Sequence, residues 1–236
     1  MLDNNFDSYL DKDAWENCNY NSFDVYTDGK LLTANLKIHF IDREGKHTDR
    51  EVILRRYVHD GTDGLLLAHC LMRDGNRPFA ISRISNPVDL DTGELIPDLI
   101  KYLDDHYANT TNGKADVFIE EHYDALICLF YVCKTDDAFR SKEKQTLQGL
   151  FQVLGLFDNE VIDCILKRMT EWTTPTRRNF HSQLKKIEAS ITFDDLYKKR
   201  IFATAKAIIA TDKKVRATEI EALELMSKLL KISQPK

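Results

Sequence analysis

The chain has 236 residues, 43% hydrophobic and 30% charged, with nine glycines and five prolines. That balance excludes a disordered or collagenous chain and leaves enough apolar material for a core without covalent staples. The net charge of −5 excludes a uniformly basic coat for nucleic acid, but leaves room for a local basic patch.

The five cysteines (Cys18, Cys70, Cys128, Cys133, Cys164) are odd in number, scattered and free of any C-x-x-C pair. This argues against a disulfide framework and against a cysteine-based zinc site. The acidic start of the chain has no apolar stretch of a signal peptide, and the longest apolar run, Ala125 to Cys133, is far short of the about 20 residues a bilayer span needs. The expected setting is a reducing cytosol, with no membrane partner.

Residues 1–34 read as an acidic N-terminal segment. Its aromatics (Phe6, Tyr9, Trp15, Tyr20, Phe23, Tyr26) suggest docking onto another surface. Residues 35–108 read as a small domain of short strands. Leu36–Ile41 alternates with period two before the turn Asp42–Gly45. Glu51–Tyr57 is a second strand, closed by Asp60–Gly64. Leu65–Met72, apolar throughout, is a central third strand. After the turn Arg73–Asn76, Pro78–Ile84 forms a fourth. Tight turns between short strands predict a strongly bent sheet or barrel, followed by a helix through Ile100, Tyr102 and Leu103.

On the fourth strand the alternation places Arg77, Phe79, Ile81 and Arg83 on one face, with Arg73 just before it. Guanidinium forks held by a sheet suit bidentate phosphate recognition, and a neighbouring aromatic suits stacking on a base. The plainer reading pairs these arginines with Asp42, Asp74, Asp89 or Glu94. His69, inside an apolar strand, reads as a core histidine.

Arg50 in the second strand, Leu65-Leu66-Leu67 opening the third, then Ala68, Cys70, Arg73, Arg77-Pro78-Phe79 and Arg83-Ile84 together resemble a WYL domain. The resemblance implies an SH3-like barrel whose basic pocket senses a nucleic acid or nucleotide through Arg50, Arg73, Arg77, Phe79 and Arg83. Two features depart from the family. Its Trp-Tyr-Leu is reduced to Leu67, and the residues before Leu36 are too few for a winged helix-turn-helix.

Residues 115–236 turn helical and contain a repeat. Thr135-Asp136-Asp-Ala-Phe139-Arg140-Ser-Lys-Glu143 returns as Thr211-Asp212-Lys-Lys-Val215-Arg216-Ala-Thr-Glu219, 76 residues later. Apolar helices precede both copies and amphipathic helices follow both. The prediction is an all-α bundle of six or seven helices, including Val161–Trp172, Arg177–Ile187 and one opened by a capping box of Thr192 and Asp195. The paired loops resemble the TerB-like family of helical domains, with Asp136, Glu143, Asp212 and Glu219 in the acidic positions and Phe139 and Val215 as apolar plugs. That resemblance implies a role in stress response or phage defence and a divalent cation on the four carboxylates. The residues themselves favour a structural role near the helix starts. Arg177-Arg178, Lys185-Lys186 and Lys198-Lys199-Arg200 read as solvated helix faces.

No G-x-S-x-G, P-loop, H-E-x-x-H or dinucleotide fingerprint occurs, and the seven histidines show no metal-ligand spacing. The combined expectation is an α+β chain, a WYL-like barrel followed by a TerB-like bundle, acting as a non-enzymatic regulatory protein that senses a nucleic acid or nucleotide and needs no cofactor. A TerB-like adaptor or scaffold with a degenerate barrel, binding a protein partner or a divalent cation, is the alternative, and a homodimer is a further expected partnership.

Overall fold

The computed structural model describes residues 29–134, 139–211 and 215–232, and the chain divides between Thr110 and Thr111 into two compact units. The architecture is α+β: an antiparallel five-stranded sheet with one helix, then six further helices.

In the first unit the strands are β1 (Lys30–Ile41), β2 (His47–His59), β3 (Gly64–Cys70), β4 (Gly75–Ala80) and β5 (Ile84–Asp89), in the spatial order β4-β3-β2-β1-β5. One face carries the core: Leu36 and Ile38 of β1, Val52, Leu54 and Tyr57 of β2, Leu66, Ala68 and Cys70 of β3, and Phe79 of β4. β3 is buried on its other face too, where Leu65 and Leu67 pack with Ala80. That explains its unbroken apolar run.

Register shifts between Leu31 and Ala34 on β1, and between Leu54 and Arg56 on β2, bend the long strands. The resulting curl is large. In a flat sheet β1 and β4 would lie roughly 14 Å apart at about 4.8 Å per step, yet the rings of Phe40 and Phe79 meet edge to face with centroids 5.2 Å apart. Helix α1 (Leu99–Ala108) closes the core with Leu99, Leu103 and Tyr107, its first turn capped by Asp98, whose side chain accepts the Lys101 N–H at 3.0 Å. Burying Leu103 completely contributes about 1.5–3 kcal/mol.

Two strand boundaries differ from the sequence pattern. β4 ends at Ala80, and Ile81–Arg83 form a single 3-10 turn rather than the end of a strand over 78–84. The turn is held from a distance, because the Ser82 N–H donates to the Asp63 carboxylate. The four strands expected from the sequence do not include β5, which carries Asn86-Pro87. It lies at the edge of the sheet beside β1, with Val88 also bridging Leu95, and an edge strand tolerates a residue with no N–H.

The second unit comprises α2 (Thr111–Cys133), α3 (Ser141–Val153), α4 (Asn159–Glu171), α5 (Arg177–Ala189), α6 (Asp195–Ala210) and α7 (Ala217–Leu229) around a core that includes Phe130, Phe151, Ile165, Phe180, Ile201 and Met226. Helix α6 is capped by Asp194, which accepts the Tyr197 N–H at 2.6 Å. Thr192 instead bonds Ser190, so the predicted Thr192–Asp195 box does not form. Among the described residues no helix is long and apolar enough to cross a membrane.

Candidate functional site

Arg50 pairs in register with Ile38 and shares the core-facing side of β2 with Val52 and Leu54, at the rim where the core opens. Its guanidinium carbon stands 5.6 Å from the centroid of Phe40 and 5.9 Å from that of Phe79. The Thr48 hydroxyl donates to the Phe40 carbonyl at 3.3 Å and accepts Arg50 Nε–H at 3.0 Å. Nη1 lies 3.9 Å from Cys70 Sγ. Two rings, a hydroxyl and a thiol therefore hold a half-buried cation, and among the described residues no carboxylate pairs with it. Such a charge ordinarily has a counter-charge.

Three of the four acids that the plainer reading pairs with these arginines are engaged elsewhere. Asp42 accepts the backbone N–H groups of Glu44 and Lys46, Asp74 faces His69 at 3.5 Å, and Asp89 accepts the Tyr102 hydroxyl at 2.8 Å. Burial pushes the Asp89 carboxyl up, but the bonds from Tyr102 and from the Asp91 and Thr92 N–H groups outweigh it and hold it below the ordinary value.

Arg77 stands opposite Ala68, half-buried, on the same side of β4 as Phe79. Arg73 is exposed on the turn between Cys70 and Gly75, its own N–H donating to the Cys70 carbonyl at 3.1 Å. Arg50, Arg73 and Arg77 thus gather around the Cys70–Gly75 end of the sheet. Arg83 does not share a strand face with Arg77; it lies on the 3-10 turn, beyond the far end of β4. Phe79 is only 1% exposed, with Phe40 against its edge, so it is a core residue that backs Arg50 and cannot stack on a base. The sequence did not single out Phe40 or Thr48. Their role depends on curl and cross-strand register, and their one local signal is their place flanking the first turn.

His69 is half-buried on the outer face of β3 beside Asp74, rather than a core residue.

In the helical unit Glu143 and Glu219 are each 2% exposed. Each occupies the third position of its helix and accepts the N–H of its own N-cap residue, Arg140 at 2.5 Å and Arg216 at 2.8 Å. The two copies of the repeat share this device. Asp136 and Asp212, read with them as cation ligands, lie outside the described residues. Among those described, no group of three His, Cys, Asp or Glu side chains converges on a common point. Phe139 packs on the core, edge to face with Phe130 at 5.5 Å, whereas Val215 is 47% exposed and plugs nothing.

Of Trp172, Phe180 and Tyr197, which lie among the basic clusters in sequence, only Trp172 reaches the surface. Phe180 and Tyr197 are buried, and Arg177 and Lys186 pair with Glu221 and Asp124.

Comparison with protein-family models, curated proteins and solved structures found no match to the chain.

Proposed function

We propose that the first unit is an SH3-like barrel of the WYL kind, and that it binds a nucleic acid or nucleotide by its phosphate groups. Arg50 is the central cation in this reading, Arg73 and Arg77 flank it, and Arg83 contributes from the neighbouring 3-10 turn. The second unit is a TerB-like bundle that docks a partner or relays the bound state, and the whole acts as a cytosolic regulatory protein without chemistry of its own. The strand order and the 3-10 turn between β4 and β5 support the barrel. The observation that carries the ligand class is the half-buried Arg50 guanidinium, gripped by Phe40, Phe79 and Thr48 with no carboxylate partner among the described residues. Leu66 and Phe79 are both buried, so recognition would rest on phosphate geometry rather than on base identity.

The test is fluorescence anisotropy of labelled single-stranded DNA and RNA at two salt concentrations. Arg50→Gln should weaken binding about 10–100-fold, as expected when a charge-assisted bond is lost, while Arg83→Ala should weaken it less. Wild-type protein that fails to bind, or Arg50→Gln that binds equally well, would overturn the reading. A second reading has its own observation: Leu71 and Met72, half-exposed beside Arg73, suit an apolar protein partner. Salt-insensitive capture of a protein, lost on replacing those two side chains, would favour it.

A further inference from the structure

On the outer face of the sheet, away from Arg50, three side chains of the β1–β2 hairpin form a chain. His39 Nδ1 is 2.9 Å from Asp49 Oδ1, and His39 Nε2 is 3.0 Å from His47 Nδ1. His39 and Asp49 are register partners and His47 is one pair further along, opposite Ile41, so the backbone ladder fixes all three. The site is open: the His39 side chain is 32% exposed, that of Asp49 is 66% exposed, and His47 lies on the surface.

An ionised carboxylate only accepts, so Asp49 fixes a proton on His39 Nδ1. When the ring is neutral, that leaves the Nε2 lone pair pointing at His47 Nδ1.

Two imidazole nitrogens that share a single proton at this distance are close to the spacing that two nitrogens take on one ion. With metal–nitrogen bonds of about 2.0–2.1 Å and tetrahedral angles, that spacing is about 3.3 Å. Replacing this hydrogen bond by an ion requires the pair to open by a few tenths of an ångström and each exposed ring to turn by about 35°, so that both lone pairs converge beside the line between them. The carboxylate behind His39 completes the arrangement in which a ligating histidine donates its other N–H to an acid, which fixes the ring and raises its basicity.

We propose that His39 and His47 bind a divalent transition ion of the copper–nickel–zinc group, with Asp49 as the positioning residue. Imidazole donors select this group over calcium and magnesium, which prefer oxygen. No third His, Cys, Asp or Glu among the described residues converges on the pair, so the protein supplies two donors and the remaining positions are left to water or an added ligand. The inference is independent of the phosphate reading, since it uses the opposite face and none of the same side chains.

The test titrates the tag-free full chain with Cu²⁺ and Zn²⁺ by calorimetry, with the Cu²⁺ complex read by electron paramagnetic resonance. One equivalent should bind, Cu²⁺ more tightly than Zn²⁺, with hyperfine structure from two equatorial nitrogens. His39→Gln and His47→Gln should each abolish saturable binding, and Asp49→Asn should weaken it about 10–100-fold. Affinity should fall as the solution is made more acidic, because protons compete for the same lone pairs. Four results would each overturn the proposal: no saturable binding by the wild type, unchanged binding in both histidine variants, unchanged affinity in Asp49→Asn, or displacement of Zn²⁺ by equimolar Mg²⁺.

Discussion

His122 lies in α2 with only 7% of its surface exposed, edge to face with Phe118 at 4.5 Å and with its Nδ1 3.0 Å from the Tyr197 hydroxyl. Burial holds its pKa below the ordinary value, with the Glu121 carboxylate pulling weakly the other way. Folded, the ring takes up a proton less readily than it does in the unfolded chain. Below about pH 6.5 the unfolded chain therefore binds the extra proton, and the helical unit loses stability as pH falls from there. Asp104 on α1 acts in a separate window. Burial raises its carboxyl, but hydrogen bonds from His59, Lys30 and Tyr57 outweigh that and hold it below the ordinary value, so its contribution is present above about pH 4 and is lost only in stronger acid. The expected result is that urea unfolding of the wild type shows a loss of stability between pH 7 and pH 5.5, and that His122→Gln flattens this loss. An equal slope in both proteins would place the titration elsewhere. The neighbouring Glu120 and Glu121 face solvent, so these three consecutive positions form no common site.

At the scale of elements, the repeat extends further than its sequence motif. Helix α3 ends in a Schellman turn: Gly155 has φ +98°, its N–H donates to the Gln152 carbonyl, and the Leu156 N–H donates to the Phe151 carbonyl. Seventy-six residues on, Lys231 takes the same place after α7 at φ +55°, and the Ile232 N–H donates to the Ser227 carbonyl. A lysine in the left-handed region costs about 1–2 kcal/mol, which a glycine does not incur. Its ion pair with Glu188, on a side chain 78% exposed, returns little of that. Lys231→Gly should therefore stabilise the helical unit by about 1 kcal/mol and Gly155→Ala should destabilise it by a similar amount, both read from denaturant midpoints; a destabilised Lys231→Gly would show that the cap is held by its side chain instead. Helices of this kind were readable because the apolar period and the acidic cap positions are local. The strands were readable only where alternation, or an unbroken apolar run in the case of β3, marked them. The bulge between Leu31 and Ala34 hid the first half of β1, and the bond from Ser82 to Asp63 ended β4 without a local sign. The candidate sites fared likewise. Arg50, Arg73 and Arg77 are marked by residue type, but Arg50's partners Phe40 and Phe79 are 39 positions apart in sequence, and His39 and His47 become neighbours only through the hairpin.

For the molecule as a whole, charge sets the terms on which any anion arrives. The net charge of −5 repels a polyanion at long range, so the arginines of the first unit must act locally. With three or four phosphate contacts on a single strand, the slope of log affinity against log salt should be about −2 to −3, far shallower than for a basic nucleic-acid coat. Residues 1–28 hold seven acids and one lysine; removing their six net negative charges takes the chain from −5 to +1. Affinity of the 29–236 chain for single-stranded DNA should therefore exceed that of the full chain at low ionic strength. What salt does to the difference separates two causes. If the segment acts only through its field, the gap closes once the Debye length falls to about 8 Å near physiological salt. If the acids instead occupy the Arg50 site as a competing ligand, the gap persists there, because a bound carboxylate is screened far less than a distant one. It should then also vanish in Arg50→Gln, which removes what the segment and the DNA compete for. Equal affinities for the two chains at every salt concentration would mean that residues 1–28 neither repel the ligand nor cover its site.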